Sequence, residues 1–156
     1  MSIDLDQPVP AFTAQATSGL TVDSQQLQGQ QYVLYFYPKD NTPGCTTEGQ
    51  DFRARHEAFA AANTLVFGVS RDSLRTHENF RSKQEFPFEL ISDADDTLCR
   101  LFDVIKMKQM YGKEYEGIER STFLVDAEGV LRAEWRKVKV KGHVNEVLEA
   151  ARQLAG

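Results

Sequence analysis

Cys45 is the residue whose surroundings point most directly to chemistry. It closes the segment Pro38-Lys39-Asp40-Asn41-Thr42-Pro43-Gly44-Cys45, between an aromatic, β-branched run and a stretch patterned as a helix. Thr42 suits an N-cap and Pro43 a first helical position. Cys45 then falls in the first turn, where unpaired backbone N–H groups and the helix dipole favour a thiolate. Gly44 leaves the backbone beside the sulfur uncovered, so a small substrate has room to approach. A sulfur placed this way is a nucleophile. The competing reading, a small hydrophobe filling a helix start, fits a Thr-Pro-Gly cap poorly. The other cysteine, Cys99, is flanked by Leu98, Leu101 and Phe102 and reads as a buried core thiol. No C-x-x-C pair exists, and His56, His77 and His143 lack metal-ligand spacing, so a metal centre is not expected.

The elements around this loop read as α/β. Residues 12–16 and 20–22 suit a small hairpin around Ser18-Gly19. Residues 32–37 form a continuous apolar run stopped by Pro38, the pattern of a strand buried on both faces. A helical stretch over 43–62 places Phe52 and Phe59 on its buried side. A strand over 64–70, a helix over 73–84, a strand over 88–92 and a helix over 95–102 follow. Residues 121–126 read as a strand, 127–129 as a turn and 130–140 as its antiparallel partner. Residues 142–155 close the chain as an amphipathic helix carrying Val144, Val147, Leu148, Ala151 and Leu154. Helices between buried strands imply parallel crossovers, and the late hairpin adds antiparallel strands. The expectation is one domain over 1–156, with a mixed central sheet and helices on both faces. In such sheets, sites form beyond the carboxyl ends of strands, where the 38–45 loop falls.

Composition excludes several classes. The chain has 156 residues, 41% hydrophobic and 26% charged, enough to bury a core without disulfides. A net charge of −5 opposes a nucleic-acid partner. No apolar run approaches the ~18 residues of a membrane span. The N-terminal residues show neither a basic nor an apolar signal region, and two cysteines make no disulfide framework, so a reducing cytoplasm is expected. The one basic run, Arg136 to Lys141, would put Lys137, Lys139 and Lys141 on one face of a strand. It reads as a solvated edge, with docking of an acidic reductant as the sharper alternative. No exposed apolar helix or extra arm stands out, which favours a monomer.

Pro38-x-x-x-Thr42-x-x-Cys45 resembles the P-x-x-x-(T/S)-x-x-C signature of peroxiredoxins. Tyr37 to Thr46 is similar to the subgroup called bacterioferritin comigratory protein, or peroxiredoxin Q. The similarity continues through Phe67-Gly68-Val69-Ser70, Leu90-Ile91-Ser92-Asp93 and Glu119 to Asp126, nearly the whole chain. The resemblance implies a thioredoxin-like fold and reduction of hydrogen peroxide and small organic hydroperoxides by a cysteine thiol, without metal, haem or flavin. It implies that Cys45 is the peroxidatic cysteine, Thr42 the hydroxyl contacting sulfur and peroxide, and Pro38 the residue shielding the pocket. Arg120 matches the arginine that faces the cysteine, and Glu48 the acid that holds it. A thiol of pKa about 8.5 is roughly 3% thiolate at neutral pH, so ionisation alone gains at most about 30-fold. Part of that is lost to lower nucleophilicity. Most of the acceleration must come from donors aligning the peroxide and stabilising its leaving oxygen.

One feature departs from the resemblance. The position five residues after Cys45, where many relatives carry a resolving cysteine, is Gln50, and the alternative stretch Phe80-Arg81-Ser82-Lys83 has none either. Cys99 is the only resolving candidate within the chain. The expectation is therefore a one-cysteine cycle completed by an external thiol: thioredoxin, glutaredoxin or glutathione. A peroxide sensor with poor turnover is the rival reading. A disulfide reductase is disfavoured, because the active loop holds one cysteine where that chemistry needs a pair.

Overall fold

The computed structural model describes residues 3–156. Its strands are β1 (Thr13–Gln15), β2 (Thr21–Asp23), β3 (Gln31–Phe36), β4 (Thr64–Ser70), β5 (Glu89–Ser92), β6 (Ile105–Met110), β7 (Lys113–Ile118), β8 (Ser121–Val125) and β9 (Leu131–Trp135). Its α-helices are α1 (Pro43–Ala54), α2 (His56–Ala61), α3 (Leu74–Gln84), α4 (Thr97–Leu101) and α5 (His143–Ala155). The central sheet runs β5-β4-β3-β8-β9, with β3, β4 and β5 parallel and β8 and β9 antiparallel. The expected α/β architecture with a mixed sheet holds, and it is thioredoxin-like. No helix among the described residues is long and apolar enough to cross a membrane.

β3 divides the interior. Strand side chains alternate between faces, so Tyr32, Leu34 and Phe36 join one core and Val33, Tyr35 and the following Tyr37 join the other. The second core is built with Phe52, Phe59, Phe80, Val147 and Leu148, so α1, α2, α3 and α5 cover that face. The first holds Phe12, Val22, Leu98, Cys99 and Phe102, so the β1–β2 hairpin and the short α4 cover the opposite face. Helices do lie on both faces, four against one.

Three sequence expectations need correction. The helix expected over 43–62 breaks at Arg55, whose N–H bonds back to the Phe52 carbonyl at 3.2 Å, a tighter turn than the α-helix makes. The guanidinium of Arg55 meets Asn145 of α5 there. The strand expected over 130–140 ends at Trp135. Arg136 donates to the carbonyls of Phe102 and Asp103 at 2.9 and 2.8 Å, and Lys137 turns left-handed at φ 49°. Lys137, Lys139 and Lys141 are thus exposed on a loop, not aligned along a strand. The β6–β7 hairpin is absent from the sequence reading altogether. Its strands, IKMKQM and KEYEGI, are rich in lysine and glutamate, which strands disfavour. Positive φ at Tyr111 and Gly112 in the two-residue connection closes it.

Candidate active site

The site forms where the chain leaves β3. Pro38 is exposed just past the strand, and Asn41 bends the loop through positive φ, 65°. Thr42 stands at the N-cap position, but its hydroxyl does not cap the helix. It donates to the Lys39 carbonyl at 2.8 Å and so closes the loop on itself. Pro43 opens α1, which makes Cys45 its third residue, with the side chain buried at 1% exposure.

Arg120 arrives from the short link between β7 and β8. Its Nη2 donates to Cys45 Sγ at 3.3 Å, and its Nη1 donates to Glu48 Oε1 at 2.5 Å. Cys45 and Glu48 are three residues apart on one helix and therefore share a face, so one planar guanidinium spans both. Gly44 explains the close approach. A Cβ on Gly44 would stand 3.1 Å from Arg120 Nη2. The guanidinium lies against Gly44, on the side where the sequence suggested room for a substrate.

Glu48 is fully buried, and burial pushes its carboxyl up to about 7 against the opposing pull of Arg120. Its Oε2 has no hydrogen-bond partner. Behind the site, the Tyr35 ring stacks on Phe52 at 4.4 Å, and burial raises its phenol well above the ordinary range. His143, whose Nε2 lies 2.8 Å from the Thr122 hydroxyl, is held down to about 4 by burial and then by Arg120. Among the described residues, Arg120 is the one cation hydrogen-bonded to the sulfur.

A model of the AhpC/TSA family matches residues 5–134. Peroxiredoxin Bcp of Bacillus subtilis (strain 168) is 49% identical over 155 residues, 99% of each chain. The solved structure of Xanthomonas campestris peroxiredoxin Q superposes with a TM-score of 0.92 at 49% identity, over 99% of each chain. The chain belongs to the AhpC/TSA family, in its Bcp/peroxiredoxin Q subgroup. A structural study of alkyl peroxide reduction by the Xanthomonas campestris bacterioferritin comigratory protein gives a further match, TM-score 0.91 at 48% identity over 99% of each chain. This chain, like its relatives, is a peroxiredoxin and so a thiol peroxidase.

Within this peroxiredoxin the two thiols are far from equivalent. Cys99 is fully buried in the core on the opposite face of the five-stranded sheet from Cys45. Burial, followed by the Asp93 carboxylate, pushes its thiol far up. Asp93 gives its oxygens to the Leu98 and Cys99 N–H groups at 2.9 and 2.7 Å, fixing the start of α4. Gln50 is exposed on α1 and donates to Gln84, the last residue of α3, at 2.9 Å. The two helices on which the resemblance places a resolving thiol are therefore joined here by an amide pair.

Two clusters escaped the sequence reading. Asp40, Asp72 and His77 bring ligand-type atoms within 4.8 Å of one another, as do Asp93, Asp96 and Cys99. In each, the buried carboxylate is already taken up by hydrogen bonds, Asp40 by Tyr37 and His77, Asp93 by the helix N–H groups. Histidine spacing in sequence gave no sign of the first, because its members come from a loop, a strand end and a helix.

Proposed function

We propose that this peroxiredoxin reduces hydrogen peroxide and small organic hydroperoxides, alkyl peroxides among them, by a one-cysteine cycle through a Cys45 sulfenic acid. The Cys45 thiolate attacks the terminal peroxide oxygen, and the O–O bond breaks. The oxygen stays on sulfur, and the other fragment leaves as alcohol or water once protonated. Arg120 donates towards sulfur and incoming oxygen, stabilising charge as it moves to the leaving oxygen. Glu48 orients Arg120 through the second N–H. Thr42, whose hydroxyl donates to Lys39 and keeps lone pairs free to accept, contacts the peroxide, and Pro38 shields the pocket. An external thiol (thioredoxin, glutaredoxin or glutathione) then condenses with the sulfenic acid, releasing water, and a second thiol frees Cys45 from the mixed disulfide. We read the working form as a monomer in a reducing, cytoplasmic setting.

The observation that carries this reading is the placement of Cys45 against Arg120 with Cys99 across the sheet. A disulfide needs Cα atoms within about 7 Å, so joining the two would require the sheet or both helix starts to come apart. Steady-state peroxide consumption with an added thiol reductant tests it. Cys45→Ser is expected to abolish turnover, and Cys99→Ala to keep it within about twofold, since a core thiol replaced by a smaller apolar group changes packing alone. Loss of turnover in folded Cys99→Ala would contradict the one-cysteine cycle.

A further inference from the structure

Asp40 lies five residues before Cys45 and is held at three points. Its N–H donates to Asp72 Oδ2 at 2.9 Å, Oδ1 accepts from the Tyr37 hydroxyl at 2.6 Å, and Oδ2 meets His77 Nδ1 at 2.6 Å. The other ring nitrogen, Nε2, lies 2.9 Å from the Ile91 carbonyl. Asp72 is in turn fixed by the Ser70 hydroxyl at 2.6 Å, and its own carbonyl accepts from Ser92 at 2.6 Å. Tyr37, Asp40, Ser70 and His77 are all buried. The peroxidatic loop is thus tied to α3 through His77, to β5 through Ile91, and to the end of β4 through Ser70 and Asp72.

The proton count constrains what this cluster does. A backbone carbonyl only accepts, so His77 Nε2 carries a hydrogen. The Nδ1–Oδ2 contact then holds one more, on whichever of the two atoms takes it. With neutral imidazole and ionised Asp40, one ring nitrogen would turn a lone pair towards an acceptor, and a buried contact would be lost at a cost of about 1–3 kcal/mol. Among the described residues, no hydrogen bond or ion pair joins this cluster to Cys45, Arg120 or Glu48. What they fix is the backbone that turns at Asn41 and enters α1 at Pro43, which sets where the sulfur stands.

We infer that His77 is a positioning residue for the peroxidase reaction, acting through Asp40 to hold the Cys45 loop in its reactive geometry. This rests on Cys45 being the peroxidatic sulfur. The test is a matched pair of variants whose rate constants for peroxide oxidation of Cys45 are measured by stopped flow, alongside thermal midpoints. In His77→Asn the amide nitrogen replaces Nδ1 and keeps the donor to Asp40. In His77→Gln it reaches the Ile91 carbonyl and leaves Asp40 Oδ2 without its partner.

The expected result is a rate constant within about threefold of wild type for His77→Asn and a loss on the order of 10²-fold for His77→Gln, the scale of an ångström-sized misplacement. Similar thermal midpoints for the two variants would accompany it. Equal losses, no loss, or losses that follow the midpoint would overturn the proposal and leave His77 as packing. Should His77→Gln fail to fold, Asp40→Asn against Asp40→Ala repeats the comparison from the loop. The asparagine amide donates to a neutral His77 and still accepts from Tyr37, so it is expected to hold the rate that alanine loses, and equal rates would overturn the proposal. Wild-type protein in which peroxide leaves Cys45 unoxidised would instead overturn the underlying reading of the site.

Discussion

At the scale of single residues, the proposed chemistry depends on a guanidinium that serves two partners at once. Arg120 gives one N–H to sulfur and another to Glu48 from two nitrogens fixed in one plane, a geometry that the single, freely rotating ammonium nitrogen of lysine does not reproduce. Arg120→Lys is therefore expected to lower the peroxide rate constant of Cys45 by about 10²–10³-fold, the cost of losing an oriented donor. A loss under tenfold, read by stopped flow, would mean that the arginine is not the principal donor. Glu48 adds a pH dependence of definite sign. Its carboxyl sits at about 7 in the folded chain and near 4.3 when unfolded. Its contribution to stability is present in full below the unfolded value and is lost as pH rises through about 7. Denaturant titrations should show Glu48→Gln gaining stability relative to wild type between roughly pH 4.3 and 7, with a constant difference above. A difference that stays flat across that window would refute the burial effect. His143, held down to about 4, acts in the opposite direction over much of the same range, so the comparison with the variant isolates Glu48 where the wild-type curve alone would not.

At the scale of elements, α1 carries the sulfur and must lie close against the phenylalanine rings between α3 and β5. Gly49 allows this. A Cβ there would stand 2.3 Å from Phe86 Cζ, and Phe86 is itself stacked on Phe88 at 5.0 Å with no room to retreat. Gly49→Ala would gain about 1 kcal/mol of helix propensity in an open helix, but overpacking here costs about 1–3 kcal/mol. Calorimetry is expected to show a lowered thermal midpoint, and an unchanged or raised one would contradict the packing argument. The same elements show where sequence is readable. β4 is found at its expected bounds, and the loop before α1 was visible because its proline, threonine, glycine and cysteine all lie within eight residues. The β6–β7 hairpin was invisible because its strands lack the apolar alternation that a core-facing strand needs. Arg120 and Glu48, 72 residues apart, were reached through family resemblance and not through local pattern. Asp40 and His77 were missed for a related reason: three elements must first pack before an ordinary loop aspartate and a helical histidine become partners.

At the scale of the whole molecule, the five-stranded sheet separates two cores and, with them, two thiols. Cys45, on α1, belongs to the face covered by α1, α2, α3 and α5, while Cys99, on α4, is buried on the other face with the N-terminal hairpin. Neither forms a disulfide here. In the reading proposed here, the peroxidatic side of the reaction is assembled from a helix start, a loop between strands and a clamp across β4, β5 and α3. In the cycle we propose, the regenerating thiol comes from outside the chain, because Cys99 lies in the other core. That division is the central claim, and the most direct measurement of it is the intact mass and free-thiol count after one equivalent of hydrogen peroxide without reductant. The account predicts the gain of one oxygen and the loss of one thiol, a sulfenic acid on Cys45. Loss of two hydrogens with both thiols gone would mean that Cys99 resolves Cys45 across the sheet, and would contradict it.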